Sequence, residues 1–181
     1  YVGHSEGISE WDGESWHNYA TPHNTPVRRI IQWKDERLYI GTTNDIGYYQ
    51  TNKNGVLSYY SLLDGWTEEQ RQFGQVWGTA ANKYGVIFVT IKAVMFWNGE
   101  KVRILNNVKP GRYRIFSVNN IFIFKHQHDP YVSEVNFDSA ISTIQSAAIP
   151  TTVIHFYPCR PSAILRLRYS LSTDTTQSHT T

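Results

Sequence analysis

The chain has 181 residues, of which 40% are apolar and 14% aromatic, with a formal net charge of +2. That length and apolar content suffice for a sizeable core and exclude wholesale disorder. The small charge, with no basic run interleaved among aromatics, leaves no nucleic-acid footprint, and no run of about 18 apolar residues offers a membrane span.

Residues 1–21 open on Tyr1-Val2-Gly3-His4, which has neither a start Met nor a signal-peptide pattern, so any export signal is expected to lie upstream of it. The apolar run Gly7-Ile8-Ser9-Glu10-Trp11 then meets Asp12-Gly13 and continues as Glu14-Ser15-Trp16-His17-Asn18-Tyr19. Asp-Gly or Asn-Gly between β-rich runs signals a hairpin with a type I′ turn, in which both central residues take positive φ. Next, Val27-Arg28-Arg29-Ile30-Ile31-Gln32-Trp33 passes through Lys34-Asp35-Glu36 into Arg37-Leu38-Tyr39-Ile40-Gly41-Thr42. A second hairpin follows: Asp45-Ile46-Gly47-Tyr48-Tyr49-Gln50, a turn through Asn54-Gly55, then Val56-Leu57-Ser58-Tyr59-Tyr60. Leu63 to Gly74 is polar, a connecting loop with room for one helical turn.

The pattern then restarts. Gln75-Val76-Trp77-Gly78-Thr79-Ala80 passes through Asn82-Lys83-Tyr84-Gly85 into Val86-Ile87-Phe88-Val89-Thr90-Ile91. The third hairpin is Ala93-Val94-Met95-Phe96-Trp97-Asn98-Gly99, followed by Glu100-Lys101-Val102-Arg103-Ile104-Leu105. The turn glycines Gly13, Gly55 and Gly99 stand 42 and 44 residues apart by their positions. Four short strands per period of about 40–45 residues is the size of a β-propeller blade. The fold class expected is therefore all-β, a partial β-propeller of about three four-stranded blades with an irregular C-terminal tail. Blade one supplies its outer hairpin over 1–21, blade two fills 26–62 and blade three 75–106. A fourth begins with Arg112 to Val118, turns at Asn119-Asn120 and continues through Ile121 to Phe124.

The composition changes after Lys125. No glycine follows Gly111 and no tryptophan follows Trp97, while Ser and Thr become frequent. Without turn glycines the repeat is expected to stop. The chain divides on this reading into a propeller region, 1–125, and a tail, 126–181, that is either a small cap or a stretch read out of frame. Three blades do not close a ring of the usual 4–8. A fragment of a longer chain is expected, self-associating through uncovered blade faces.

Three pieces at one period carry a family resemblance: Gly7 to Trp16, Arg37 to Tyr48 with Tyr-Ile-Gly-Thr, and Gln75 to Gly99 with Val-Trp-Gly and Phe-Trp-Asn-Gly. Together they resemble the two-component-regulator propeller repeat. That repeat forms the periplasmic ligand-binding sensor region of hybrid histidine kinases and related diguanylate cyclases. The resemblance covers roughly two-thirds of the chain. It implies a parent that continues through further blades, an immunoglobulin-like sandwich and a membrane span to a cytoplasmic output domain. The WD, kelch and sialidase patterns fit less well: no Gly-His partners Trp11-Asp12, and neither a Gly-Gly pair nor a Ser-x-Asp-x-Gly-x-Thr-Trp box is present.

The candidate chemistry is sparse. Trp11, Trp16, Trp77 and Trp97 can stack on a ligand ring, but the expectation is that they fill the space between blades. Tyr48-Tyr49 and Tyr59-Tyr60 place one ring on each face of a strand. Arg28, Arg29 and Gln75 begin innermost strands and are the ligand-binding candidates, near the channel mouth; the bland alternative is solvated arginines or a local partner such as Asp35. His126-x-His128, with Asp129, falls short of a metal site for want of ligands. Cys159 alone excludes an internal disulfide and a cysteine zinc cluster, and no Gly-x-Ser-x-Gly or phosphate-cradling glycine loop occurs. No cofactor, metal or catalytic residue is expected. The function expected is non-catalytic sensing of an extracytoplasmic small molecule or glycan, with signal output through domains outside the chain. The alternatives are a propeller-fold lyase or glycoside hydrolase, which needs acids and bases converging on one channel mouth, or a truncated chain without function of its own.

Overall fold

The computed structural model describes residues 1–106, 108, 110–126, 132–136 and 144–147, with His126 and the last two stretches described by their backbone alone. Among the described residues the protein is all-β, with no α-helix and one short 3₁₀ turn at Pro22–Asn24. The strands form four antiparallel sheets, none of which closes on itself.

Three strands make the first sheet: β1 (Val2–Gly3), β2 (Gly7–Trp11) and β3 (Trp16–Ala20). The other three sheets are four-stranded and run in simple sequential order. The second comprises β4 (Ile30–Gln32), β5 (Leu38–Gly41), β6 (Ile46–Thr51) and β7 (Leu57–Ser61). The third holds β8 (Val76–Asn82), β9 (Gly85–Thr90), β10 (Val94–Trp97) and β11 (Val102–Ile104). In the fourth, β12 (Tyr113–Val118) and β13 (Ile121–His126) are followed by β14 (Val132–Asn136) and β15 (Ile144–Ala147). Strand pairing thus runs past residue 125, with Lys125 opposite Val132 and Val132 opposite Ala147. The residues after 147, Cys159 among them, lie outside the described residues, as do Gln127, His128 and Asp129.

Side-chain alternation stacks these sheets face to face through three cores. Ile8 and Val27 meet Leu38, Ile40 and Tyr49 between the first sheet and the second. The opposite parity of the second sheet, Tyr39 and Ile46, packs with Trp33 on Val86, Phe88, Met95 and Trp97 of the third. The third sheet's other parity, Ile87, Val89, Val94 and Phe96, meets Ile115, Phe122 and Phe124 of the fourth. Each fully buried side chain of this kind contributes about 1.5–3 kcal/mol of transfer free energy. β9 and β10 are buried at every position because both faces are covered.

The expected hairpins form, but their turns are not type I′. At Gly13, Gly55 and Gly99 the glycine alone has positive φ, 109°, 78° and 103°. An Asx side chain closes each loop instead: Asp12 and Asn98 directly before their glycines, and Asn52 three residues before Gly55, where its Oδ1 accepts from the Asn54 and Val56 amides at 2.9 and 3.0 Å. Asp12 Oδ1 accepts from the Glu14 and Ser15 amides, both at 2.8 Å. Asn98 Oδ1 does the same for Glu100 and Lys101, at 3.0 and 2.9 Å. Such a side-chain bond mimics a backbone turn, so one left-handed residue is enough. Two consecutive positive-φ residues occur instead at Asn119 and Asn120, between paired Val118 and Ile121.

The connection from Leu63 to Gly74 is a set of hydrogen-bonded turns, with one helical-type bond from Arg71 N to Thr67 O. It buries Leu63 and Phe73 in the core between the second and third sheets. Arg71 pins it by donating to Leu63 O at 2.6 Å, with Asp45 3.7 Å away.

Candidate functional site

One backbone hydrogen bond recurs between successive sheets. Val27 N donates to His4 O at 3.0 Å, Val76 N to Thr42 O at 3.0 Å, and Gly111 N to Thr90 O at 3.2 Å. Each acceptor residue also closes the same local turn through its own N–H, to Gly7, Asp45 and Ala93 respectively. Val27, Val76 and Gly111 therefore occupy equivalent places. So do the residues that follow them: Arg28, Trp77 and Arg112.

These three side chains meet. The guanidinium carbons of Arg28 and Arg112 each lie over the Trp77 ring, 4.3 Å from its centroid. A β-bulge explains how Trp77 gets there. Val76 pairs with Thr90 and Gly78 with Val89, so Trp77 is the extra residue, with no partner on β9. Bulges re-aim a side chain in this way. Gly78 holds the bulged strand against the fourth sheet, since a Cβ there would sit 2.8 Å from Ile115 Cδ1.

The electrostatics are one-sided. Arg28, Arg29, Arg112 and Arg114 are all exposed, and none of them is ion-paired or hydrogen-bonded through its side chain among the described residues. The guanidinium carbons of Arg28 and Arg112 can be no farther apart than twice 4.3 Å. At that limit their repulsion is about 0.5 kcal/mol in water and about 2 kcal/mol at an effective dielectric constant of 20. Each cation–π contact returns about 0.5–1 kcal/mol at an exposed site. The two terms are comparable, so the indole offsets the cost of gathering the charges without neutralising them.

Of the residues expected at a channel mouth, Arg28 is in the cluster. Arg29 is exposed beside it. Gln75 braces the approach: its Oε1 accepts from Thr43 Oγ1 at 2.9 Å, and its Nε2 donates to Pro26 O at 3.3 Å and Val76 O at 3.2 Å. Asp35 does not serve these arginines. It accepts from Tyr39 Oη at 2.6 Å and stands 3.5 Å from Arg37. Burial first, and that bond second, push the Tyr39 phenol up to about 12.

The tryptophans divide. Trp97 fills the core as expected, while Trp77 is half-buried in the arginine cluster. Trp11 and Trp16 do not fill a space between sheets: they are 50% and 55% exposed and pack on each other across β2 and β3, centroids 5.4 Å apart. They lie on the face of the first sheet opposite Ile8, where no described sheet packs. The tyrosine pairs alternate as expected. Tyr49 and Tyr59 turn to the core shared with the first sheet, and Tyr48 stacks on exposed Tyr60 on the other face.

Two further polar clusters have structural explanations. Ser15 Oγ and Asp12 Oδ2 lie 3.2 and 2.6 Å from the same His17 nitrogen, Nε2. A relay needs its two partners on opposite ring nitrogens, so this exposed trio is a turn lock. Asp45 is buried and accepts from Ser61 Oγ, Tyr59 Oη and the Ile46 amide at 2.7, 2.9 and 3.0 Å. A groove of about 420 Å³ with Tyr1, Gln32, Asp35, Glu36, Gln50 and Leu57 in its walls lies along the first and second sheets.

Among the described residues no group of three His, Cys, Asp or Glu can hold a metal ion, and no helix is long and apolar enough to cross a membrane. No protein-family model, curated protein or solved structure matches this chain.

Proposed function

We propose that this chain is the blade array of a partial β-propeller that senses an extracytoplasmic small molecule or glycan for a bacterial signal-transduction protein, without catalysing a reaction. The carrying observation is the convergence of Arg28, Trp77 and Arg112 from equivalent positions of three successive sheets. Such a meeting of first-strand ends is where a propeller presents its channel mouth. Face-to-face stacking of sequentially ordered four-stranded sheets agrees with that fold. The resemblance of Gly7 to Trp16, Arg37 to Tyr48 and Gln75 to Gly99 to the two-component-regulator repeat supplies the sensor role. In this reading further blades and an output domain belong to a longer parent chain, in the periplasm or an equivalent compartment on its sensing side.

A thermal-shift screen of the chain against small metabolites and oligosaccharides, with each hit incubated and analysed for products, tests the proposal. The expected result is a ligand that raises the melting temperature and is recovered unchanged. Release of new reducing ends or unsaturated sugars would replace the sensor with a propeller-fold enzyme.

A further inference from the structure

We infer that Arg28 and Arg112, braced on Trp77, form a receptor for an oxyanion, so that the ligand of this surface carries a carboxylate, phosphate or sulfate group. The inference deepens the sensing proposal and rests on it for the surface concerned. Three observations carry it. Two guanidiniums are held against one ring with no counter-charge among the described residues. A cation–π contact does not consume their N–H donors, and neither arginine donates a hydrogen bond within the described residues. Finally, Arg29 follows Arg28 and Arg114 shares the strand face of Arg112, both exposed, so the positive charge extends along the rim.

The chemistry follows from arginine itself. Its planar fork presents five donors that match the paired oxygens of a carboxylate or phosphate. Stacking against an indole fixes the fork's approach, so less side-chain freedom is lost on binding. The bulge that throws Trp77 outward is the device that gathers the two forks. An anion placed there relieves the repulsion between them, which a neutral ligand cannot do.

The test is a titration of the full chain followed by ¹⁵N NMR, reading the indole N–H of Trp77 assigned with Trp77→Phe. The probes are inorganic phosphate, sulfate, citrate, glucose 6-phosphate and glucuronate, with glucose as the neutral reference. Saturating shifts at this indole are expected for at least one anion, weakened tenfold or more in the Arg28→Gln/Arg112→Gln pair. The Arg28→Lys/Arg112→Lys pair should restore only part of the affinity, since it keeps the charge and loses the fork. Both pairs are expected to melt as the parent does, because the side chains are exposed. Tighter binding of the sugar acids than of the inorganic ions identifies a carbohydrate source for the anion; the reverse identifies a free ion. Linear shifts for every anion, or equal affinity in the glutamine pair, overturn the inference. A saturating response to glucose alone also overturns it, while leaving the sensing proposal standing.

Discussion

Trp11 and Trp97 stand in the same sequence setting, each ending a strand just before an Asx-Gly turn, yet one is 50% exposed and the other 9%. Trp97 points from the third sheet toward the second, where Trp33 and Tyr39 await it. Trp11 points the corresponding way from the first sheet, where no described sheet packs. The motif therefore fixes the direction of the ring, and the neighbouring sheet decides whether that ring contributes to stability.

The largest expected effect breaks the pair apart. Trp97→Ala should cost about 3–5 kcal/mol, the range for deleting a large aromatic from a packed core. Trp11→Ala should change stability by less than about 1 kcal/mol, as exposed substitutions do. Urea denaturation of the two variants measures the difference, and equal losses would mean that something covers Trp11 in solution.

An intermediate effect should appear in alkali. Burial pushes the Tyr39 and Tyr49 phenols up to about 12, and burial with the charge of Asp45 drives Tyr59 higher still. A raised folded value means the neutral phenol is favoured by the fold. The stability it carries is complete below about pH 10, the unfolded value, and is lost as the pH climbs toward and past 12. Absorbance near 295 nm, followed with circular dichroism, should show late-ionising tyrosines whose titration coincides with loss of β-structure. Ionisation of every tyrosine near pH 10 with the fold intact would contradict the packing of the second sheet.

The smallest effect sits on the exposed side of the comparison. The Ser15 and Glu14 amides and His17 hold the Asp12 carboxyl far below the usual carboxylate range. A depressed folded value gives stability that is present above about pH 4 and fades as the pH falls below it. The Glu14 and Ser15 amide resonances should move in acid before any global unfolding does. Asp12→Asn should flatten that response with little change in melting temperature.

Much of this architecture can be read from the residues. The four-strand period and the hairpins at Gly13, Gly55 and Gly99 follow from β-rich runs cut by Asx-Gly pairs, and the strands form there. The turn at Asn119-Asn120 is legible too, although no glycine marks it. Asn119 and Asn120 adopt positive φ themselves, which asparagine tolerates better than other non-glycine residues, and pairing continues beyond them. The arginine cluster was half visible. Arg28 and Gln75 align as the starts of two periods, but the hydrogen bonds to the preceding sheet set Arg28 level with Trp77 and Arg112. A one-residue bulge is invisible to strict alternation, which therefore assigns Trp77 to the core. Aligning the three periods on Val27, Val76 and Gly111 would have found it.

The recurring bond from Val27, Val76 and Gly111 to the turn of the preceding sheet also makes the molecule modular. The second, third and fourth sheets each dock by the same backbone contact, which asks nothing of side-chain identity, so the stretch from Val27 to Gln75 is a unit bounded by equivalent anchors. Connections between units are free to lengthen, as the loop from Leu63 to Gly74 does, because the anchor beyond them resets the geometry. Duplication of such a unit enlarges the array without redesigning a joint, and each new copy arrives with one exposed or half-buried position, the place of Arg28, Trp77 and Arg112, at the same edge.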